Sequence, residues 1–61
     1  MDAKVLAIIP DLDRHSCEFI LGLHGIVCYE SEETYELREA VEANYKDGTI
    51  DGADIANYYF D

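Results

Sequence analysis

The chain has 61 residues, 49% of them hydrophobic, and a formal net charge of -10 at pH 7. A chain of this length predicts one small domain, residues 1–61, and its apolar content is too high for a disordered acidic tail. With only four Lys and Arg residues it offers no basic patch, so we expect neither nucleic acid nor an anionic membrane surface to bind it directly.

The negative charge is concentrated in the second half of the chain. Residues 30–61 hold ten Asp and Glu side chains against Arg38 and Lys46, whereas residues 1–29 hold four acids against two bases. A surface with that much charge of one sign repels copies of itself and attracts basic partners. The asymmetry therefore predicts one strongly acidic surface.

No targeting or membrane segment is visible in the sequence. The apolar run over residues 5–9 stops at Pro10, which leaves it far short of a signal-peptide core or a membrane span. We therefore expect a cytoplasmic protein in which Cys17 and Cys28 are reduced thiols.

The first predicted element is a strand. Residues 4–9 are apolar apart from Lys4, rich in β-branched side chains and followed by Pro10, a pattern typical of a short buried strand. A turn is expected next, over residues 10–14, where Asp11 and Asp13 can hydrogen-bond to the nearby backbone.

Residues 15–29 admit two interpretations. As a strand, residues 15–23 would lead through a turn at residues 24–25 into a second strand over residues 26–29. As a helix over residues 14–24, the segment would be capped by Asp13 and stopped by Gly25. The buried face would be Cys17, Phe19, Leu21 and Leu23 in the strand, or Cys17, Ile20, Leu21 and His24 in the helix. A turn at residues 24–25 would join the two strands into a simple hairpin, and this favours the strand interpretation.

Residues 31–46 predict an amphipathic helix. Ser31 suits the N-cap, Glu32 and Glu33 suit the first turn, Lys46 suits the last turn, and Gly48 suits the position just beyond the end. At helical spacing the two faces separate cleanly. The inner face is Thr34, Leu37, Val41 and Tyr45, and the outer face is Glu32, Glu36, Glu39 and Glu42.

After a turn at residues 47–48, residues 49–61 predict either a short strand or a short C-terminal helix starting near Asp51. Together these elements predict a small α+β domain, in which two or three short strands from residues 3–29 pack against helix 31–46. The alternative is a mostly α domain in which residues 14–24 are helical.

The sequence predicts neither a calcium site nor a zinc site. Residues 47–51 (DGTID) resemble the middle of an EF-hand calcium loop, but Ala43 and Tyr45 would occupy its first and third ligand positions, which leaves too few oxygens. A zinc site would use His15, Cys17, His24 and Cys28. Their spacing lacks the paired-cysteine knuckle of structural zinc sites. We expect no metal and no other cofactor.

An enzyme is not expected either. A cysteine and a histidine could in principle form a nucleophile and a base, but the sequence offers no oxyanion hole, no glycine-rich phosphate loop and little chain to enclose a substrate pocket. We predict no catalytic residue.

The acidic helix face supports a different prediction, a non-enzymatic protein that occupies the basic surface of a partner, which we expect to be a nucleic-acid-binding protein. In its sharpest form the carboxylates replace backbone phosphates, so that the protein inhibits by mimicking nucleic acid. In composition it resembles small bacteriophage proteins that disable host machinery, which would place it in the host cytoplasm. The predicted partner-binding residues are Glu32, Tyr35, Glu36, Glu39, Glu42, Asp47, Asp51 and Asp54.

The alternative function is an apolar interaction protein, either a homodimer or an accessory subunit. Its interface would be the C-terminal aromatic cluster, and the charge would serve solubility. The cluster is Tyr58, Tyr59 and Phe60.

Overall fold

The computed structural model describes residues 3–60, apart from the side chain of Phe60, and all of the regular secondary structure in that range is helical. The elements are α1 (Ala3–Ile8), a 3-10 turn (Ile9–Asp11), α2 (Arg14–Leu23), α3 (Thr34–Lys46) and α4 (Gly52–Phe60). Residues 3–60 contain no strand. The predicted α+β fold is therefore wrong, and the mostly α alternative describes the chain.

The predicted first strand is a helix because only one side of it is buried. Val5, Ile8, Ile9 and Leu12 are buried, and their spacing of three, four and seven residues is that of a helix that continues into the 3-10 turn. Ala7 is exposed. The helical spacing is not evident in the sequence, because residues 5–9 are all apolar and a continuous apolar stretch does not distinguish a buried strand from a helix.

The segment predicted as a strand over residues 15–23 is helix α2, and both of its ends are specified locally. Asp13 is the N-cap, and its carboxylate accepts a hydrogen bond from the Ser16 backbone N–H at 2.8 Å. Gly25 follows the C-terminal end with a φ of 75°, a left-handed conformation that glycine adopts without steric cost. These two residues were the helix signals in the sequence.

A complete Schellman motif closes α2. The Ile26 N–H donates to the Leu21 carbonyl at 3.0 Å, and the Gly25 N–H donates to the Gly22 carbonyl at 3.1 Å. The two bonds satisfy carbonyls that a helix end would otherwise leave open. The half-buried Ile26 packs against the core that holds Leu21, and the chain therefore leaves α2 in a fixed direction.

The predicted amphipathic helix is present as α3, but it begins at Thr34 rather than Ser31. Glu33 is the N-cap, and its side chain and that of Glu36 form a reciprocal capping box. At the other end the prediction is confirmed, since Lys46 lies in the last turn and Gly48 has a φ of 89°.

The C-terminal segment is helix α4 rather than a strand. The Asp51 carboxylate accepts a hydrogen bond from the Ala53 N–H at 3.0 Å, and the helix begins at Gly52. Of the two predictions for this segment, the helix starting near Asp51 is confirmed.

The helices enclose one core. α2 packs against α3 and α4, α1 packs against α4, and the 3-10 turn packs against α3. Every buried residue in the described part of the chain is apolar, and no buried side-chain nitrogen or oxygen there lacks a hydrogen-bond partner. The core is Val5, Ile8, Ile9, Leu12, Cys17, Ile20, Leu21, Leu37, Val41, Ile50 and Ile55.

Candidate interaction surfaces

Several of the predicted partner-binding carboxylates are used to build the fold. Glu36 accepts a hydrogen bond from the Glu33 N–H at 3.4 Å as part of the capping box. Glu32 accepts one from the Tyr29 N–H at 2.9 Å and so folds the loop that precedes α3. Both carboxylates therefore accept hydrogen bonds from backbone N–H groups of the same chain.

The carboxylates beyond Glu39 also have partners. Asp47 accepts a hydrogen bond from the Thr49 N–H at 2.8 Å, and hydrogen bonds from Thr49 hold the pKa of Asp47 below its ordinary value. Glu42 lies 3.6 Å from the Lys46 ammonium, in a solvent-exposed pair worth less than about 1 kcal/mol. Together with Asp51 at the start of α4, these residues stabilise helix ends and turns.

Asp54 lies next to His24, with 3.0 Å between its Oδ2 atom and Nε2 of the imidazole. The contact joins the end of α2 to the first turn of α4. Among the described residues, Glu39 is then the one predicted carboxylate with neither a hydrogen bond nor an ion pair. The eight predicted residues do not form a uniform row of free charges.

Charge is segregated between two parts of the molecule. Residues 30–51, which comprise α3 and its flanking loops, hold eight carboxylates and two cations. Residues 14–29 and 52–60, which comprise α2, α4 and the loop after α2, hold Glu18, Asp54 and Arg14 as their charged side chains. Most of the net charge therefore lies away from the α2–α4 surface.

An aromatic ridge occupies the α2–α4 surface, and we define it as Phe19, Leu23 and Tyr58. The Phe19 and Tyr58 rings are stacked, with centroids 4.6 Å apart and an interplanar angle of 20°. Phe19 is 47% exposed and Leu23, one turn further along α2, is 56% exposed. Tyr58 is half-buried and packs against the core, so Phe19 and Leu23 supply most of the exposed apolar surface of the ridge.

The charged side chains beside the ridge are paired. Arg14 Nε lies 2.9 Å from Glu18 Oε1, and His24 lies beside Asp54 as described above. Glu18 has a cationic neighbour in Arg14, and Asp54 is the one other carboxylate in residues 14–29 and 52–60. The density of negative charge is therefore lower at the ridge than along residues 30–51.

Of the predicted C-terminal cluster, the structure describes the side chains of Tyr58 and Tyr59. Tyr58 is half-buried against Phe19, and Tyr59 is exposed. The Phe60 side chain lies outside the described residues. Sequence reasoning missed Phe19 and Leu23 because the strand interpretation placed both in the core. In helix α2 they lie outside the buried face and are exposed, and exposed apolar residues on a helix would have been a signal.

A groove lies between the 3-10 turn and α3, with a volume of about 240 Å³. It brings together three of the eight predicted partner-binding residues, Tyr35, Glu39 and Glu42, and leaves the other five elsewhere. The Tyr35 side chain is 58% exposed. The remaining lining residues are Ile9, Pro10 and Arg38.

The cysteines and histidines do not assemble into a site. Cys17 is fully buried and Cys28 is half-buried, and both thiols are free. Burial raises the pKa of each thiol, which keeps both protonated and weakly nucleophilic near neutral pH. Nowhere in residues 3–60 do three or more His, Cys, Asp or Glu side chains come together in a metal-binding arrangement.

The chain matches no protein-family model, no curated protein and no solved structure. None of the helices in the described range has the length and apolar character needed to cross a bilayer.

Proposed function

We propose that this protein is a non-catalytic interaction protein whose aromatic ridge binds a second copy of the chain. The observation that carries the proposal is the exposed Phe19 ring stacked on the half-buried Tyr58 ring, with the exposed Leu23 beside it, on a part of the molecule that has little charge. Exposed apolar patches of this kind mark association surfaces, and aromatic residues dominate the energetics of such surfaces.

The distribution of charge makes a second copy an acceptable occupant despite the net charge of -10. Phe19 and Leu23 lie outside the buried face of α2, and Phe19 stacks on Tyr58 of α4. A contact between two ridges would therefore be made by α2 and α4 and does not require the acidic side chains of α3. The molecule measures 30 × 20 × 17 Å, and charges separated by such distances are largely screened at physiological ionic strength, where the Debye length is about 8 Å.

Size sets the expected strength of the dimer. The molecule exposes 3936 Å² of surface, and a standard interface takes about 800 Å² from each partner. An interface of standard size would therefore bury about a fifth of the surface of each copy. The three residues of the ridge and their neighbours provide only part of that area. We therefore expect dissociation constants on the order of 10–100 μM rather than nanomolar binding.

Occupation of a basic surface by the acidic residues stays a prediction. It receives less support than the ridge, because five of the seven predicted carboxylates already have hydrogen-bond partners within the chain and a sixth, Glu42, lies in an exposed ion pair. A phosphate-like surface is stronger when its charges are free to meet the partner.

Sedimentation equilibrium from 10 μM to 1 mM tests the proposal. We expect a monomer–dimer equilibrium for the wild type that holds or tightens when salt is raised, since apolar burial is strengthened by salt while charge attraction is screened. Leu23→Asp places a charge on the ridge and should weaken dimerisation by more than about tenfold. Ala43→Asp, at an exposed position of α3, adds the same charge elsewhere and serves as the control.

Three results would count against the proposal. A wild type that stays monomeric at 1 mM would rule out a second copy and leave the ridge to a different protein, as in an accessory subunit. Equal weakening by L23D and A43D would mean that general repulsion, and not the ridge, governs association. A dimer that falls apart in high salt would place charged contacts, rather than apolar ones, at the interface.

A further inference from the structure

The groove beside Tyr35 combines apolar and acidic walls within the reach of one side chain. Pro10 and the exposed Tyr35 ring contribute carbon surface, and Glu39 and Glu42 contribute carboxylates. A long side chain that is apolar along its stem and cationic at its tip matches both kinds of wall.

The carboxylates of the groove are available to an incoming cation. Glu39 has no hydrogen bond or ion pair within the described part of the chain. Glu42 pairs only with Lys46, and both side chains of that pair are about half exposed, at 45% and 49%. An exposed pair of this kind contributes little to stability, so a ligand can compete for Glu42 at small cost.

Among the described residues, Arg38 is the one cation that lines the groove, and it also stabilises the fold. Its Nε atom donates to the Leu12 carbonyl at 2.6 Å, which ties the guanidinium to the end of the 3-10 turn. The surrounding segment, residues 30–51, carries eight carboxylates against Arg38 and Lys46. Among the groove's lining residues Glu39 and Glu42 outnumber Arg38, so the lining has a net negative charge.

We infer that this groove binds an Arg side chain from a basic segment of a partner protein. The aliphatic stem lies against Pro10 and Tyr35, the guanidinium bonds to Glu39, and the ring face of Tyr35 offers a cation–π contact. Arg fits better than Lys because its planar group can stack on the ring while it bonds to the carboxylate. The groove lies on α3 and the ridge on α2 and α4, so both can be occupied at once.

A titration followed by ¹⁵N–¹H correlation spectra in 0.15 M salt tests the inference. The probe is a blocked hexapeptide with one Arg, and its control carries citrulline, which has the same shape without the charge. We expect the Arg peptide to shift amide signals of residues 9–10 and 35–42, with a dissociation constant on the order of 1 mM. The citrulline peptide should bind about tenfold more weakly.

Matched protein variants separate the groove from general attraction. Glu39→Gln removes the free carboxylate and should weaken Arg-peptide binding about fivefold or more, whereas Glu30→Gln removes an exposed charge outside the groove and should change it by less than about twofold. Equal losses for the two variants, equal binding of the citrulline peptide, or shifts outside the groove would each overturn the inference. Repeating the titration on Leu23→Asp separates this site from dimerisation, since groove binding should persist there.

Discussion

Gly22 and Gly25 offer a sharp test of helix α2, because the same substitution should have opposite effects three residues apart. Gly22 lies inside the helix, and a Cβ atom added there would meet no atom within 4 Å. Gly25 has an equally open surrounding but a φ of 75°. Only the backbone conformation distinguishes the two sites, so Gly22→Ala and Gly25→Ala form a matched pair.

The expected magnitudes follow from that difference. At position 22, alanine removes the conformational freedom that glycine has in the unfolded chain and should stabilise the fold by about 0.5–1 kcal/mol. At position 25, the left-handed conformation costs an L-residue about 1–2 kcal/mol, partly offset by the same entropic gain, so we expect a net loss of about 1 kcal/mol. Either effect is measurable in a chain of this length, whose total stability should be about 3–9 kcal/mol.

Thermal unfolding monitored by circular dichroism at 222 nm measures both variants. About 1 kcal/mol corresponds to a Tm shift of roughly 4–8 °C in a domain this small, so G22A should melt several degrees above the wild type and G25A several degrees below it. The melts should be run at low micromolar concentration, where the dimer is dissociated. If both substitutions lower Tm, or both raise it, the result contradicts a helical backbone at Gly22 and a left-handed backbone at Gly25.

Two further predictions concern the ends of α2. Hydrogen bonds from Ser16 hold the pKa of Asp13 below its ordinary value of 3.8, so its stabilising effect is present above pH 3.8 and is lost as the pH falls through the lower folded-state pKa. Asp13→Asn keeps an acceptor oxygen but does not titrate, so the Tm of this variant should fall less than the wild-type Tm between pH 5 and pH 2. An identical fall in Tm would contradict the role of the Asp13 carboxylate as the N-cap of α2. Arg14 donates from Nη2 to the Tyr29 carbonyl at 3.0 Å and from Nη1 to the Glu32 carbonyl, and so fastens the loop that carries Cys28. In a Cys17→Ser background, where Cys28 is the one thiol left, Arg14→Ala should speed the alkylation of Cys28 about fivefold because the loop opens more easily. Arg14→Lys should give an intermediate rate. An unchanged alkylation rate would show that the Arg14 hydrogen bonds do not hold the loop in place.

The sequence predicted the helices best where their ends carry explicit chemistry. Lys46 and Gly48 marked the end of α3, and Asp51 marked the start of α4, because caps act through neighbouring residues only. The predicted N-cap at Ser31 was wrong because Glu33, two residues later, is the N-cap and forms a capping box with Glu36. Residue preferences do not favour Glu at the N-cap position.

The strands were predicted wrongly because tertiary packing decides such segments. The residues from Val5 to Ile9 are β-branched enough for a strand, yet α1 packs one face against α4 and leaves Ala7 exposed. For residues 15–23 the cap at Asp13 and the glycine at 25 were the better guides, and the apparent alternation of apolar residues was not.

The candidate surfaces were only partly visible in the sequence. Tyr35, Glu39 and Glu42 were predicted together because they share a helix face, but the groove also needs Pro10, which only the packing of the 3-10 turn brings to α3. The ridge depends on the pairing of α2 with α4, a contact between segments far apart in the chain. Such a contact cannot be read from local spacing, so Phe19 and Tyr58 could not be joined without the fold.

A dilution series of ¹⁵N–¹H correlation spectra, from 1 mM to 20 μM, shows which residues lie at the contact between two copies of the chain. We predict concentration-dependent shifts at Phe19, Leu23 and Tyr58 and their neighbours on α2 and α4, with the signals of α3 unchanged. Spectra that do not change with concentration, or changes centred on α3, would contradict this prediction.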